Sequence, residues 1–309
     1  MRFLAQLLLL TSLLLIAPPA MAQNVSGDGD LVSINGTEIF VRRMGEGEPI
    51  VVIHGGPVLE HGYFLPYLEP LAKDYELIFF DQRLSGRSAG EVPKESVRVT
   101  TFVDDIEALR TTLKLGKIHV MGHSWGGHLA MRYAIRFGDQ IRSLMLLNSM
   151  SADSESWVAE QKLLMSTVSD EDQQAMNDLR QSEAFKLRRI EALHQMLMLS
   201  YAPQFHDRDK VADLRINLPA DYMERSRQFG AMTTDLQQFD LGGDLERLKM
   251  PTLVLYGAAE PSALRSGKAL HETIPGSEFV SLPRAGHFPF VEQPDAFVDA
   301  IRLFLRHAK

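Results

Sequence analysis

Apolar and polar residues follow two rhythms along this chain, and the change from one to the other marks out its elements. Residues 31 to 44, LVSINGTEIFVRRM, roughly alternate about Asn35-Gly36. That dipeptide tolerates positive φ at both positions and predicts a hairpin with a two-residue turn. PIVVIHGGP (49 to 57), ELIFFD (76 to 81), KIHVMG (117 to 122), IRSLMLLN (141 to 148), PTLVLYG (251 to 257) and SEFVSLP (277 to 283) do not alternate. The first three are short runs that predict strands buried on both faces of a parallel sheet, and the other three predict further strands. Between them the rhythm becomes helical. Phe102, Ile106, Leu109 and Leu113 share one face of a helix predicted over 101 to 115 and ending near Gly116. LAMRYAIRFG predicts a second helix stopped at Gly138, and Phe297, Ile301 and Phe304 predict a closing helix over 294 to 306.

Strands alternating with helices imply an α/β fold, a mostly parallel central sheet flanked by helices. The alternation breaks once. From 151 to 240 there is no strand-like run, only helical patterns such as FKLRRIEALHQMLML. This stretch is expected to be a helical cap inserted over the sheet edge, leaving residues 23–150 and 241–309 as the core. Residues 1–22 read as a signal peptide: Arg2, an apolar block from Leu7 to Ile16, then Ala20-Met21-Ala22 as the small-x-small cleavage pattern. A mature chain starting at Gln23 would be periplasmic or secreted from a bacterial cell. The apolar block is shorter than the roughly 20 residues a membrane span needs, so no stable membrane insertion is expected after cleavage.

Composition narrows the possible functions. The 309 residues carry a formal charge of −8 and no cysteine. Core packing rather than disulfides must hold the fold, and the lack of any basic stripe argues against nucleic acid as a partner. No clustered His, Asp or Glu spacing suggests a metal, so no cofactor is expected.

The chemistry is concentrated in VMGHSWGGHLA, residues 120 to 130. A serine between a buried strand and a helix sits on a sharp turn that exposes its oxygen and tolerates only small residues two positions before and after. Gly122 and Gly126 meet that demand around Ser124, and Gly127 lets the helix pack close to the strand. A serine needs a base. Of ten histidines, His287 stands after the last strand and before the last helix, at the same sheet edge, in the chain order nucleophile, acid, histidine. His123 and His128 flank Ser124 but are expected to face elsewhere as packing residues, and His119 lies in a strand. The orienting acid should follow the preceding strand, where Glu260 stands, with Asp153 and Asp240 as fallbacks. The position after LMLLN holds Asn148 and Ser149, so an acid there is disfavoured. The oxyanion formed on attack needs two donors: the N–H of Trp125, after the nucleophile, and that of Gly56 in His54-Gly55-Gly56-Pro57. His54 is expected to brace that loop.

HGGP, DQRLSGRS (81 to 88), GHSWGG and the late GH together resemble the α/β-hydrolase superfamily, and in particular the proline iminopeptidases, which carry HGGPG, DQRGSGRS and GGSWGG. The resemblance implies the α/β-hydrolase fold and a Ser-Asp-His triad that releases N-terminal residues from peptides. It places Ser124 and His287 in the triad, with Glu260 where aspartate is usual. Asp81, Arg83 and Arg87 are expected to tie the loop beside the oxyanion strand. The chain departs from the pattern at Val58, Leu84 and His123, each replacing a glycine, and lacks the Trp-Glu-Gly segment whose glutamate holds the substrate amine. Residues 151 to 240 contain 16 acidic and 10 basic residues, an excess usual for a solvated face. The expected function is therefore a serine hydrolase of the aminopeptidase type acting on a short peptide or small molecule, with carboxylesterase as the alternative.

Overall fold

The computed structural model describes residues 29–89, 92–260 and 263–308; the signal peptide expected over 1–22 lies outside them. The hairpin forms as its turn dictates. β1 (Asp30–Ile34) and β2 (Thr37–Met44) pair with Ile34 opposite Thr37, and Asn35 and Gly36 both take positive φ, 47° and 77°, the conformation of the hairpin-favoured mirror-image turn.

The six apolar runs become β3 (Glu48–Ile53), β4 (Tyr75–Phe80), β5 (Ile118–His123), β6 (Ile141–Leu147), β7 (Thr252–Gly257) and β8 (Glu278–Leu282). All eight strands join one sheet in the order β1-β2-β4-β3-β5-β6-β7-β8. The hairpin is antiparallel to β4, and every pairing from β4 to β8 is parallel. Burial on both faces accounts for the lack of alternation in β3 to β7, whereas β8, at the sheet edge, is fully buried only at Leu282. Val51 and Ile53 enter one core with Ile78, Phe80 and Val120, while Ile50 and Val52 enter the other with Leu77, Phe79 and Met121. On the first face lie α1 (Val99–Thr112) and α2 (Trp125–Phe137), contributing Phe102, Ile106, Leu109 and Leu129. The C-terminal helix Pro294–His307 covers the second with Phe297, Ile301 and Phe304. α1 stops short of Gly116, because Lys114 already turns the chain with φ 54°.

Strand order fixes where a site can form. The chain leaves β3 for β4 on one side, then returns to the other side of β3 to make β5. At such a switch point the connections diverge and open a crevice beyond the carboxyl ends of the two strands. His54-Gly55-Gly56 leaves β3 there and Ser124 leaves β5. Between β6 and β7 the described chain forms helices and turns, including α3 (Ser154–Ser166), α4 (Asp170–Gln181), Ile190–Tyr201 and Tyr222–Phe229. An isolated bridge between Asp153 and Asp240 closes the base of this insertion.

The DQRLSGRS segment is a framework, as expected. Asp81 accepts from the backbone N–H of His61 and of Arg87 and from His61 Nδ1, at 2.7 to 3.0 Å. Burial pushes the Asp81 carboxyl up, but His61, His54 and the Arg87 N–H bond together outweigh it and hold the group below its ordinary value. Arg83, 1 % exposed, makes a two-pronged pair with Asp105 of α1, both bonds 2.6 Å. Removing one partner strands a buried charge. Asp105→Ala should therefore lower the unfolding free energy by about 3–5 kcal/mol, read as the shift in a urea midpoint; an unchanged midpoint would refute it.

Candidate active site

Ser124 adopts φ 55° and ψ −120°, a strained backbone for a residue with a side chain. Its surroundings explain why its neighbours are small. A methyl group at Gly122 would strike the carbonyl of Gly126, one at Gly126 the carbonyls of Ile53 and His54, and one at Gly127 the Ser149 side chain. The turn is held from both sides: Ser124 N–H donates to Leu147 O of β6 at 3.0 Å, and Ser124 O accepts from Gly127 N–H at 2.9 Å. Ser124 thus sits at the mouth of β5 with the N-terminus of α2 directly behind it, where negative charge is favoured.

His287 reaches the same cavity from the loop after β8, and Glu260 from the loop after β7. Glu260 Oε1 accepts from His287 Nδ1 at 2.7 Å, with both side chains largely buried. A carboxylate at Nδ1 fixes the proton there and leaves Nε2 as the basic nitrogen. The fallback acids are occupied elsewhere. Asp153 caps α3 by accepting from Ser156 N–H at 2.7 Å, and Asp240 accepts from Gly242 N–H at 2.8 Å. Asn148, though not an acid, has a part: its amide donates to Glu260 Oε2 and, at 3.2 Å, to Gly286 O. The signal was its position at the end of β6, next to the acid's strand.

Gly56 and Trp125 line the cavity beside Ser124. Gly56 has φ 63°, and a side chain there would enter Leu59. His54 braces this loop as expected: Nδ1–H donates to Gly55 O at 3.0 Å and Nε2 accepts from Gln82 N–H at 3.1 Å. The first of these bonds sets the Gly55–Gly56 peptide plane, and in a trans peptide the Gly56 N–H then points the opposite way from the Gly55 carbonyl. Burial lowers the His54 pKa to about 4, so the ring stays neutral. Gln82, passed over within the DQR motif, is the clasp. Its side chain donates to His54 O at 2.7 Å and accepts from Trp125 Nε1–H at 2.9 Å, joining the two donor segments.

The flanking histidines divide. His119 bonds Ser143 Oγ at 2.7 Å. His128 stacks on Trp125, receives a bond from Arg132 Nε at 2.8 Å, and is held neutral by burial, its pKa lowered to about 3. Both are packing residues, as read. His123 departs from its expected orientation: it lines the cavity and lies under His287, ring centroids 4.9 Å apart.

The cavity has a volume of about 250 Å³. Its far wall comes from the insertion, with Trp157, Leu164, Tyr201, Phe229 and Leu236. Two carboxylates line it. Glu260 is engaged by His287 and Asn148. Glu160 of α3, 7 % exposed, accepts from Ser151 Oγ at 3.0 Å through one oxygen, while Oε1 has no hydrogen-bond partner among the described residues. Burial pushes its pKa up to about 7; the Ser151 bond opposes this, and the charges of Glu260 and Asp153 add to it. Nothing in the pattern of residues marks Glu160, which stands among the 16 acidic residues of 151 to 240.

Known proteins share this fold. The family model for the alpha/beta hydrolase fold matches residues 48–294. A proline iminopeptidase of Lactiplantibacillus plantarum is 27 % identical over 285 residues, covering 88 % of this chain and 98 % of that protein. Among solved structures, VinJ superposes with a TM-score of 0.70 at 21 % identity, covering 91 % of this chain and 99 % of its own. The Mycobacterium smegmatis proline iminopeptidase does so with 0.67 at 22 %, covering 91 % and 98 %. With the family model spanning most of the chain and the sheet order, elbow and loops in place, this protein belongs to the alpha/beta hydrolase fold family.

Proposed function

We propose that this protein is a serine hydrolase that releases N-terminal residues from short peptides through an acyl-enzyme, in the manner of a proline iminopeptidase, with residues 151–240 as the cap that selects the substrate. Ser124 Oγ attacks the scissile carbonyl and passes its proton to His287 Nε2, while Glu260 holds Nδ1 and stabilises the imidazolium. The N–H groups of Gly56 and Trp125 receive the oxyanion. Collapse breaks the C–N bond as His287 returns the proton to the leaving amine. Water then attacks the acyl-enzyme by the same route, with His287 again as the base.

The observation that carries the peptidase reading over an esterase is Glu160. A carboxylate buried against an apolar wall with one oxygen unpaired destabilises the fold, and among the described residues the Ser151 hydroxyl and the Arg265 charge offset this only in part. An ammonium at the cavity wall would offset the rest. A free α-amine stays charged below a pKa of roughly 7.7–8.0, so pairing needs ionised Glu160 and a protonated substrate amine together. As pH falls through about 7, Glu160 takes up a proton and the pair is lost. The KM for alanyl or prolyl arylamides should therefore rise on the acid side of about 7, while that for the amine-free 4-nitrophenyl acetate should not. Glu160→Gln should reduce kcat/KM for the arylamides about 10- to 100-fold, the worth of a hydrogen bond to a charged group, and leave the ester nearly unchanged. Equal loss on both substrates would remove Glu160 from amine recognition. Arylamides left intact while short acyl esters are cleaved quickly would make the enzyme a carboxylesterase, the reading favoured by the apolar cavity wall alone.

A further inference from the structure

The residue before the nucleophile is a histidine where the resembled family has glycine, and the structure puts it to use. Gly55 N–H donates to Tyr63 Oη at 2.5 Å, Tyr63 Oη and His123 Nδ1 are 2.9 Å apart, and His123 Nε2 lies 2.9 Å from His287 O. The direction of every bond is forced. The His287 carbonyl can only accept, so the imidazole proton is on Nε2. Nδ1 of the neutral ring then accepts from the Tyr63 hydroxyl, whose oxygen accepts from Gly55 N–H. Tyr63 and His123 are each 1 % exposed, so water does not compete for these bonds.

The two ends of this chain of bonds are the two parts of the site that must keep register with Ser124. Gly55 is one residue before the proposed oxyanion donor Gly56, and a methyl group on Gly55 would press on Ser124 Cβ at 2.8 Å. His287 is the proposed base. We propose that His123, acting with Tyr63, is a positioning residue that locks the oxyanion loop and the His287 loop to each other through the floor of the nucleophile elbow. This rests on the reading of Ser124 and His287 as nucleophile and base. Burial, with the nearby His287 adding to it, holds the His123 pKa well below its ordinary value, and the neutral ring is the form that can both accept at Nδ1 and donate at Nε2. A protonated His123 would have two donors and would reverse the Tyr63 bond, leaving the tyrosine proton without its acceptor at Nδ1. Besides the His287 imidazole, the rings packed against it are apolar: Phe64, Phe288 and Phe290. They fill space without competing for its nitrogens.

A packing role and a positioning role separate in kinetics. Tyr63→Phe keeps the ring and removes both hydroxyl bonds; His123→Phe keeps the volume and removes both nitrogens; His123→Gln restores a terminal donor. Each is assayed on the faster of alanyl 4-nitroanilide and 4-nitrophenyl acetate, with turnover counted per site titratable by a fluorophosphonate and with the inhibition constant of an arylboronic acid as the probe of oxyanion binding. Both phenylalanine variants should lose about 10- to 100-fold in kcat per titrated site, the effect of displacing a reacting group by a fraction of an ångström to one ångström, at nearly constant KM. Boronate affinity should weaken in parallel, and His123→Gln should recover part of the loss. If kcat per titrated site and boronate affinity stay within about twofold of the parent while Ser124→Ala is inactive, the lock is refuted and the serine reading stands. A loss that vanishes on normalising to titrated sites makes His123 a folding residue and equally refutes it. An active Ser124→Ala would overturn the serine reading and the lock with it.

Discussion

Ser124→Ala is expected to lower kcat by about four to six orders of magnitude with little change in KM or in thermal midpoint. The size follows from what remains. Without the hydroxyl there is no atom for His287 to deprotonate, yet the cavity, the Gly56 and Trp125 donors and the Glu260 contact all persist, so binding survives while covalent chemistry does not. His287→Ala should fall to a similar level, and the double variant little further, because nucleophile and base act as a unit. The fold should tolerate Ser124→Ala well. The elbow is held by backbone bonds of Ser124 to Leu147 and Gly127, none of which needs the hydroxyl, although alanine inherits the positive φ and gains no relief from strain. A fluorophosphonate should add one adduct to the parent, mapped by peptide mass spectrometry to Ser124, and none to the variant. Parent-like turnover in Ser124→Ala, or an adduct elsewhere, would require a different nucleophile.

The parts of this site that were legible from sequence are those whose chemistry forces a local pattern. A strand buried on both faces cannot alternate, so β3 to β7 announced themselves. An elbow that collides with its own helix and with β3 must have glycine on either side of the serine, so Ser124 did too. Strand alternation then placed His287 and Glu260 at the same edge without any contact being known. What stayed hidden depends on pairings between distant segments. Gln82 is an ordinary glutamine until β4 lies beside β3 and brings it to His54 and Trp125. Asn148 was weighed only as a missing acid, since nothing in LMLLN says that the next strand will deliver Glu260 to its amide. For His123, set on the elbow, the sequence predicts a packing residue that faces elsewhere. The fold brings Phe288, Phe290 and the His287 carbonyl, from a distant loop, to its ring. Glu160 was one acid among many until folding selected it for burial.

Glu260 should rank far above Asp153 and Asp240. Glu260→Ala is expected to cut kcat by about three to four orders of magnitude, because the imidazole loses the acceptor that fixes its tautomer and the countercharge for its cationic form. Glu260→Asp should retain more, since a carboxylate persists, but the shorter side chain cannot serve His287 and Asn148 together and the loop must shift to reach Nδ1. Glu260→Gln is the more diagnostic change. A carboxylate accepts at both oxygens, from His287 Nδ1–H on one side and the Asn148 amide on the other, whereas a glutamine must turn its NH₂ toward one of two donors. Rotating the Asn148 amide to cure the clash would forfeit its bond to Gly286 O, so the variant should be nearly as impaired as Glu260→Ala despite its matching shape. Asn148→Ala in the Glu260→Gln background removes one of the clashing donors and should recover part of the activity, a sign of coupling that independent sites do not give. Asp153→Ala and Asp240→Ala should keep kcat within about twofold, with Asp153→Ala losing about 1 kcal/mol of stability for the α3 cap. The opposite ranking, with Asp153 or Asp240 indispensable and Glu260 dispensable, would move the orienting acid to the base of the insertion and require His287 to turn toward it before catalysis.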